Sequence, residues 1–213
     1  MDEILTNFGT ILSGFKVTLG LTAVGYVGAL IIGTVVAVFR VGPIAPLRVI
    51  GTIYVEFFKN IPLLSLLILF VFGLPDIGLT YSLFVTVAAA LALSAAAFVC
   101  EAMRAGINAV AVGQAEAARA IGLTFNQSLR FVILPQAFRA MVQPLVNTFI
   151  GVALGSSLAS AVGVADLTYQ TQYLNLKFAI SSTFLVAGAL YVLLALAGAL
   201  AGGWIERKVA IRR

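Results

Sequence analysis

Histidine does not occur in this chain, and cysteine occurs once, at Cys100. The first absence removes the commonest general base and metal ligand of enzymes. The second rules out an intrachain disulfide and a thiolate cluster for zinc, and Cys100 itself reads as a small apolar packing residue. No paired-carboxylate site stands in for the missing groups, so neither catalytic residues nor a metal site are expected. Charge is scarce too: 10% of the 213 residues are Asp, Glu, Lys or Arg, against 62% hydrophobic, and the mean hydropathy is +1.10. A soluble domain carries about 25% charged residues, so a soluble fold is excluded. A Gly-x-x-x-x-Gly-Lys-Ser/Thr segment is also missing, which leaves the chain without a phosphate-cradling loop. No cofactor is expected in it. Asp2 and Glu3 near the start, with no basic residue beside them, are unlike a cleaved signal peptide.

What the chain has is length without charge. Val17–Phe39, Ile77–Cys100, Ala140–Ala165 and Phe178–Ile205 are uncharged runs of 23, 24, 26 and 28 residues. Each meets the roughly 20 apolar residues a membrane-crossing helix needs. Val49–Gly73 is apolar apart from Glu56 and Lys59 and is taken as a fifth crossing. The predicted fold is an all-α integral membrane protein, a single transmembrane domain over 1–213. Its spans are expected at 17–39, 49–73, 77–103, 133–160 and 178–205, with a loop over 105–132 between the third and fourth.

Five spans divide the loops into two sets. One holds Arg40, Arg48, Arg104, Arg119, Arg130, Arg139, Arg207, Lys208, Arg212 and Arg213; the other holds Asp2, Glu3, Lys16, Asp76, Asp166 and Lys177. Ten basic residues against two place the first set in the cytoplasm, the N-terminus outside and the C-terminus inside. The net charge of +5 then reflects orientation and contact with membrane lipid, and no nucleic-acid partner is expected.

The polar stretch 113–139 lies in the cytoplasmic set. Ala111, Ala115, Ala118 and Ile121 or Gly122 recur at helical spacing and would give one nearly bald face, with Glu116 and Arg119 a turn apart on the polar side. Gly122 suits the left-handed residue that ends a helix. Thr124 and Gln127 have the spacing of a capping box that starts a second helix, and Pro135 is expected to break or kink it. Helix, Gly turn, helix makes a stiff hairpin, which is either a plain connecting loop or a docking surface for a soluble partner.

Glu116-Ala117-Ala118, three residues, Gly122, nine residues and Val132-Ile133-Leu134-Pro135 resemble the EAA motif of ATP-binding-cassette importer permeases, with Val132 where isoleucine is usual. Glu101-Ala102-Met103-Arg104-Ala105-Gly106-Ile107 with Gly113-Gln114-Ala115-Glu116, and Phe58-Lys59-Asn60-Ile61-Pro62-Leu63-Leu64, are similar to segments of the polar amino acid permease subfamily. The resemblance covers most of the chain and extends to permeases for acidic amino acids such as glutamate. It implies a bacterial cell-membrane importer with two permease subunits, a cytoplasmic ATPase dimer that binds ATP and Mg, and an extracytoplasmic amino-acid-binding protein. It also implies that Glu116, Ala117, Ala118, Arg119, Gly122, Leu134 and Pro135 form the coupling helix and elbow that meet the ATPase.

The path of the solute is sought among polar groups inside the spans, which are costly in lipid and face a cavity or another helix. Gln143 and Asn147 lie at i, i+4 on the fourth span, followed by Ser156, Ser157 and Ser160. These either line a path or bond across helices and back to their own. Lys59, with Asn60 beside it, stands about 15 Å into the second span if that span begins at Val49, at 1.5 Å per residue. It forms a structural pair with Glu56 or acts as a charge at the path. Against the subfamily pattern, Leu154-Gly155 replaces a polar pair ahead of Ser156-Ser157, and Lys59-Asn60-Ile61-Pro62 replaces Arg-x-Thr-Pro. The expectation that follows is a second, non-identical permease subunit making more of the solute contacts. The alternative to an ATP-driven importer is an ion-gradient-driven secondary transporter, which usually carries more intramembrane carboxylates than Glu56.

Overall fold

The computed structural model describes residues 6–209, all-helical apart from short connections. Asp2, Glu3, Arg212 and Arg213 of the predicted charge sets lie outside the described residues. Four helices are long and apolar enough to cross a membrane, and a bent pair supplies a fifth crossing if counted as one.

Helix α1, Phe8–Val41, begins nine residues ahead of the uncharged run, because Ile11 and Gly14 continue the buried face that runs on through Thr18 and Leu21. Ile11 and Leu21 are fully buried on that face. The expected second span, 49–73, is not one helix. It is α2, Ala45–Asn60, and α3, Leu63–Asp76, bent by 104° across Ile61-Pro62. Pro62 has no N–H to continue the ladder and drives Ile61 into an extended conformation, φ −83° and ψ 132°. Irregular backbone at membrane depth survives where it lines a cavity, and Ile61 does.

Helix α4, Leu83–Asn108, starts under the Ser82 hydroxyl, which accepts from the Val85 N–H, and is the most buried of the long helices. Alanine-rich, it packs along α1 with Leu91, Ala96 and Val99 almost without exposure. After the short α5, Val112–Ala120, helix α6 runs without interruption from Phe125 to Val162. Pro135 therefore does not break it. The turn before the proline, Leu129–Ile133, widens to a π-helical one, which absorbs the hydrogen bond that Pro135 cannot donate. Residues Ser156–Val162 tighten to a 3-10 helix that Gly163 ends at φ 90°. Asp166 then caps α7, Leu167–Phe178, and α8, Thr183–Val209, packs on α6 with most of its surface exposed.

Candidate functional site

Two places carry the predicted residues. The first is the elbow between α5 and α6. Its stiffness is local chemistry: the Leu123 N–H returns to the Ala118 carbonyl (3.1 Å) and the Gly122 N–H to that of Arg119 (2.9 Å), the two bonds of a Schellman termination. Gly122 sits at φ 86°, where any side chain would be strained. Two residues on, the capping box is complete: the Thr124 N–H donates to Gln127 Oε1 (2.9 Å) and the Gln127 N–H to Thr124 Oγ1 (3.4 Å). Gln136 of α6 donates to Gln114 of α5 (3.4 Å), tying the two helices together.

Of the residues expected on the bald face, Ala118 turns inward, 3% exposed, and Ala115 is half-buried, while Ala111, Ile121 and Gly122 are exposed. Outward stand Glu116, Ala117 and Arg119, flanked by Val112, Ile121 and Phe125, each more than 70% exposed. Arg119 donates to the carbonyl of Ala115 and makes no ion pair with Glu116 among the described residues. Leu134 and Pro135 lie on α6 just past the π turn, Leu134 about half exposed.

The second place is a cavity of about 710 Å³ between the end of α2, the start of α3, α4 and α6. It brings Lys59 and Asn147 into one lining, although 87 positions separate them in the chain. The bend after Asn60 puts Lys59 at a helix end with its side chain 36% exposed and 3.4 Å from Glu56, so Lys59 is both a paired charge and a cavity charge. Asn60 donates to the Glu56 carbonyl (2.7 Å) and carboxylate (3.3 Å) and is not part of the lining. Gln143 does not accompany Asn147; it reaches Glu206 on α8 at 2.8 Å. Ser156 and Ser157 bond back to Ala153 and Leu154 of their own helix, each at 2.7 Å.

Sequence reading passed over Glu101, Ser94 and Thr148, which also line the cavity. Glu101 accepts from Arg40 of α1 and lies 3.5 Å from Arg104. Arg40 is therefore not a free loop charge: its side chain is only 10% exposed. The signal that was available is that Glu101 directly follows the uncharged run of α4, where a carboxylate needs a partner.

With this geometry in view, comparison with known proteins is direct. The model of the family described as "Binding-protein-dependent transport system inner membrane component" matches residues 29–211. A probable glutamine ABC transporter permease protein of Bacillus subtilis, GlnM, is 39% identical, covering 91% of this chain and 87% of that one. The glutamate transport system permease protein GluC of Corynebacterium efficiens is 34% identical over the whole of both chains. Among solved structures, an amino acid ABC transporter crystallised with histidines superposes with a TM-score of 0.89 at 31% identity, covering 96% of each chain. The fold is thus shared with proteins named as permeases of ABC transporters. The chain belongs to the binding-protein-dependent transport system inner membrane components, the membrane-embedded permeases of ATP-binding-cassette importers.

Proposed function

We propose that this chain is one of two permease subunits of an ATP-driven amino acid importer, glutamate and glutamine being the substrate class its relatives suggest, and that α5 is the helix through which a cytoplasmic ATPase dimer moves it. One observation carries the reading: a short helix that turns Glu116, Ala117 and Arg119 outward is joined to α6 by a Schellman turn and a capping box after its C-terminal end and by the Gln136–Gln114 bond near its start. A floppy connector would dissipate a push. This one transmits it.

The N-terminus lies outside and the C-terminus in the cytoplasm. In support, Gln114–Gln136 and Gln143–Glu206 hold the elbow and the basic end of α8 at the same end of the bundle. ATP and Mg are bound by the ATPases, whose closure pulls on α5 and rocks α6 and α8 as one body. The cavity beside the α2–α3 bend then opens alternately to either side, with Lys59 offered to the solute carboxylate and Asn147 to its polar groups. The binding protein delivers the amino acid from outside. A second, non-identical permease completes the path, because Gln143, Ser156 and Ser157 are committed to internal bonds and this subunit offers few donors. Bias between the two states comes from the ATPases' unequal affinity for them.

The test is co-expression with the cognate ATPase. Glu116→Lys or Gly122→Asp should abolish both co-purification and ATP-driven uptake, while Gly9→Ala, at a site with no neighbour within 4 Å, leaves both intact. Uptake that persists with both elbow changes in place rejects the coupling role. A purified complex in which both permease chains are this sequence rejects the non-identical partner.

A further inference from the structure

Behind the elbow lies a second cavity, about 550 Å³ and polar, walled by the residues just after α4 and by α5, α6 and the last turns of α8. Among the described residues its lining has one cation, Arg139, one carboxylate, Glu206, and the amides of Gln114, Gln136 and Gln143. The amides are engaged with one another and with Glu206: Gln136 donates to Gln114, and Gln143 to Glu206 Oε2. Arg139 is not. Among the described residues it makes neither an ion pair nor a side-chain hydrogen bond, and it does not meet Glu206 across the space they share. Two opposite charges that line one cavity without touching are the two ends a dipolar ligand bridges.

Depth narrows the ligand. Arg139 immediately precedes the uncharged run 140–165, and Glu206 immediately follows the uncharged run 178–205. Both stand where the apolar bundle gives way to headgroups. Trp204, 54% exposed with the Lys208 ammonium 3.8 Å from its ring centre, marks the same level on α8, as interfacial tryptophans do. Leu200, one turn before Trp204, and Phe138, next to Arg139 in the chain, are exposed apolar side chains near that level.

We propose that this cavity binds the headgroup of a zwitterionic aminophospholipid, its phosphate on Arg139 and its primary ammonium on Glu206. A choline headgroup has no N–H to donate to Glu206, and a purely anionic one would leave the carboxylate facing phosphate. Because α5, α6 and α8 all contribute walls, a bound headgroup ties the elbow to the last span; any effect on transport rests on the coupling role proposed above, whereas lipid binding does not.

The full-length protein, purified in mild detergent and offered equal amounts of phosphatidylethanolamine, phosphatidylcholine and phosphatidylglycerol, is examined by native mass spectrometry for bound lipid. Phosphatidylethanolamine should be retained about tenfold over phosphatidylcholine, the scale of one charge-assisted hydrogen bond. Glu206→Gln should erase that preference, and Arg139→Gln should lower phosphatidylethanolamine retention, while Arg139→Lys keeps it. Gln143→Leu, which removes the internal bond to Glu206 and leaves its charge, should keep the preference and so separates lipid binding from helix packing. Retention unchanged by Glu206→Gln and Arg139→Gln overturns the proposal, as does stronger retention of phosphatidylglycerol. Displacement of phosphatidylethanolamine by excess free alanine also overturns it, assigning the cavity to soluble amino acids instead.

Discussion

Asp166 is a carboxylate with no exposed surface, at the joint of α6 and α7 where α1 and α8 also meet. It accepts from the Tyr169 N–H at 2.8 Å and from the Tyr191 hydroxyl at 3.3 Å, and no cation answers it among the described residues. Burial pushes its pKa from 3.8 up to about 6, and its hydrogen bonds, that from the Tyr169 N–H first, pull it back only partly. Between those values the folded chain holds more proton than the unfolded one, so stability is greatest below about pH 4 and falls as pH rises through 6. Thermal melts from pH 4 to 7 should show this decline, by at most about 3 kcal/mol at 1.36 kcal/mol per pKa unit. Asp166→Asn keeps an acceptor for the Tyr169 N–H and should flatten the profile. An equally steep profile in that variant would clear Asp166 of the effect. At the same scale, Glu101 shows what a lone intramembrane acid requires, a guanidinium from another helix.

At the scale of elements, the α1–α4 pairing is set by missing side chains. A Cβ on Gly33 would stand 2.6 Å from that of Val99 and 2.7 Å from the Ala96 carbonyl, and one on Gly28 would stand 2.8 Å from Ala92. Backbones this close gain dispersion contacts that lipid tails cannot match. Gly33→Val must force the helices apart, and a loss of about 2 kcal/mol, within the usual cost of overpacking, should appear as a lower melting temperature with helix content kept. Gly9→Ala, with open space around it, should melt as the parent does. An unchanged melt in Gly33→Val would show that α1 and α4 are not clamped there. The bend at Ile61-Pro62 is the opposite device, since it parts α2 from α3 and leaves room for the cavity.

For the whole molecule the question is which end faces the cytoplasm. Asp76, the last residue of α3, and Gly113, in α5, are exposed at opposite ends of α4, and Cys100 is buried, which makes the parent chain a quiet background for thiol labelling. In intact cells a membrane-impermeant maleimide should label Asp76→Cys and leave Gly113→Cys untouched until the membrane is permeabilised. The reverse pattern would invert the orientation and with it the docking of the ATPase on α5. Helix α8, with almost none of its apolar length buried among the described residues, is left to face lipid or the second permease proposed above.

The membrane class, the all-helical build, the Gly122 turn and the Thr124–Gln127 box were legible in the chain because each depends on neighbours in sequence: uncharged runs long enough for a bilayer, a residue that tolerates positive φ, a cap three positions from its partner. The Glu-Ala-Ala to Leu-Pro spacing carried the family for the same reason. Tertiary structure alone decided that Pro62 divides a span while Pro135 is absorbed in a π turn, since the outcome depends on what packs around each freed carbonyl. It alone joined Lys59 to Asn147, sent Gln143 to Glu206 and brought Arg40 to Glu101. A side chain's partner on another helix depends on rotation and crossing, which packing fixes and local sequence does not.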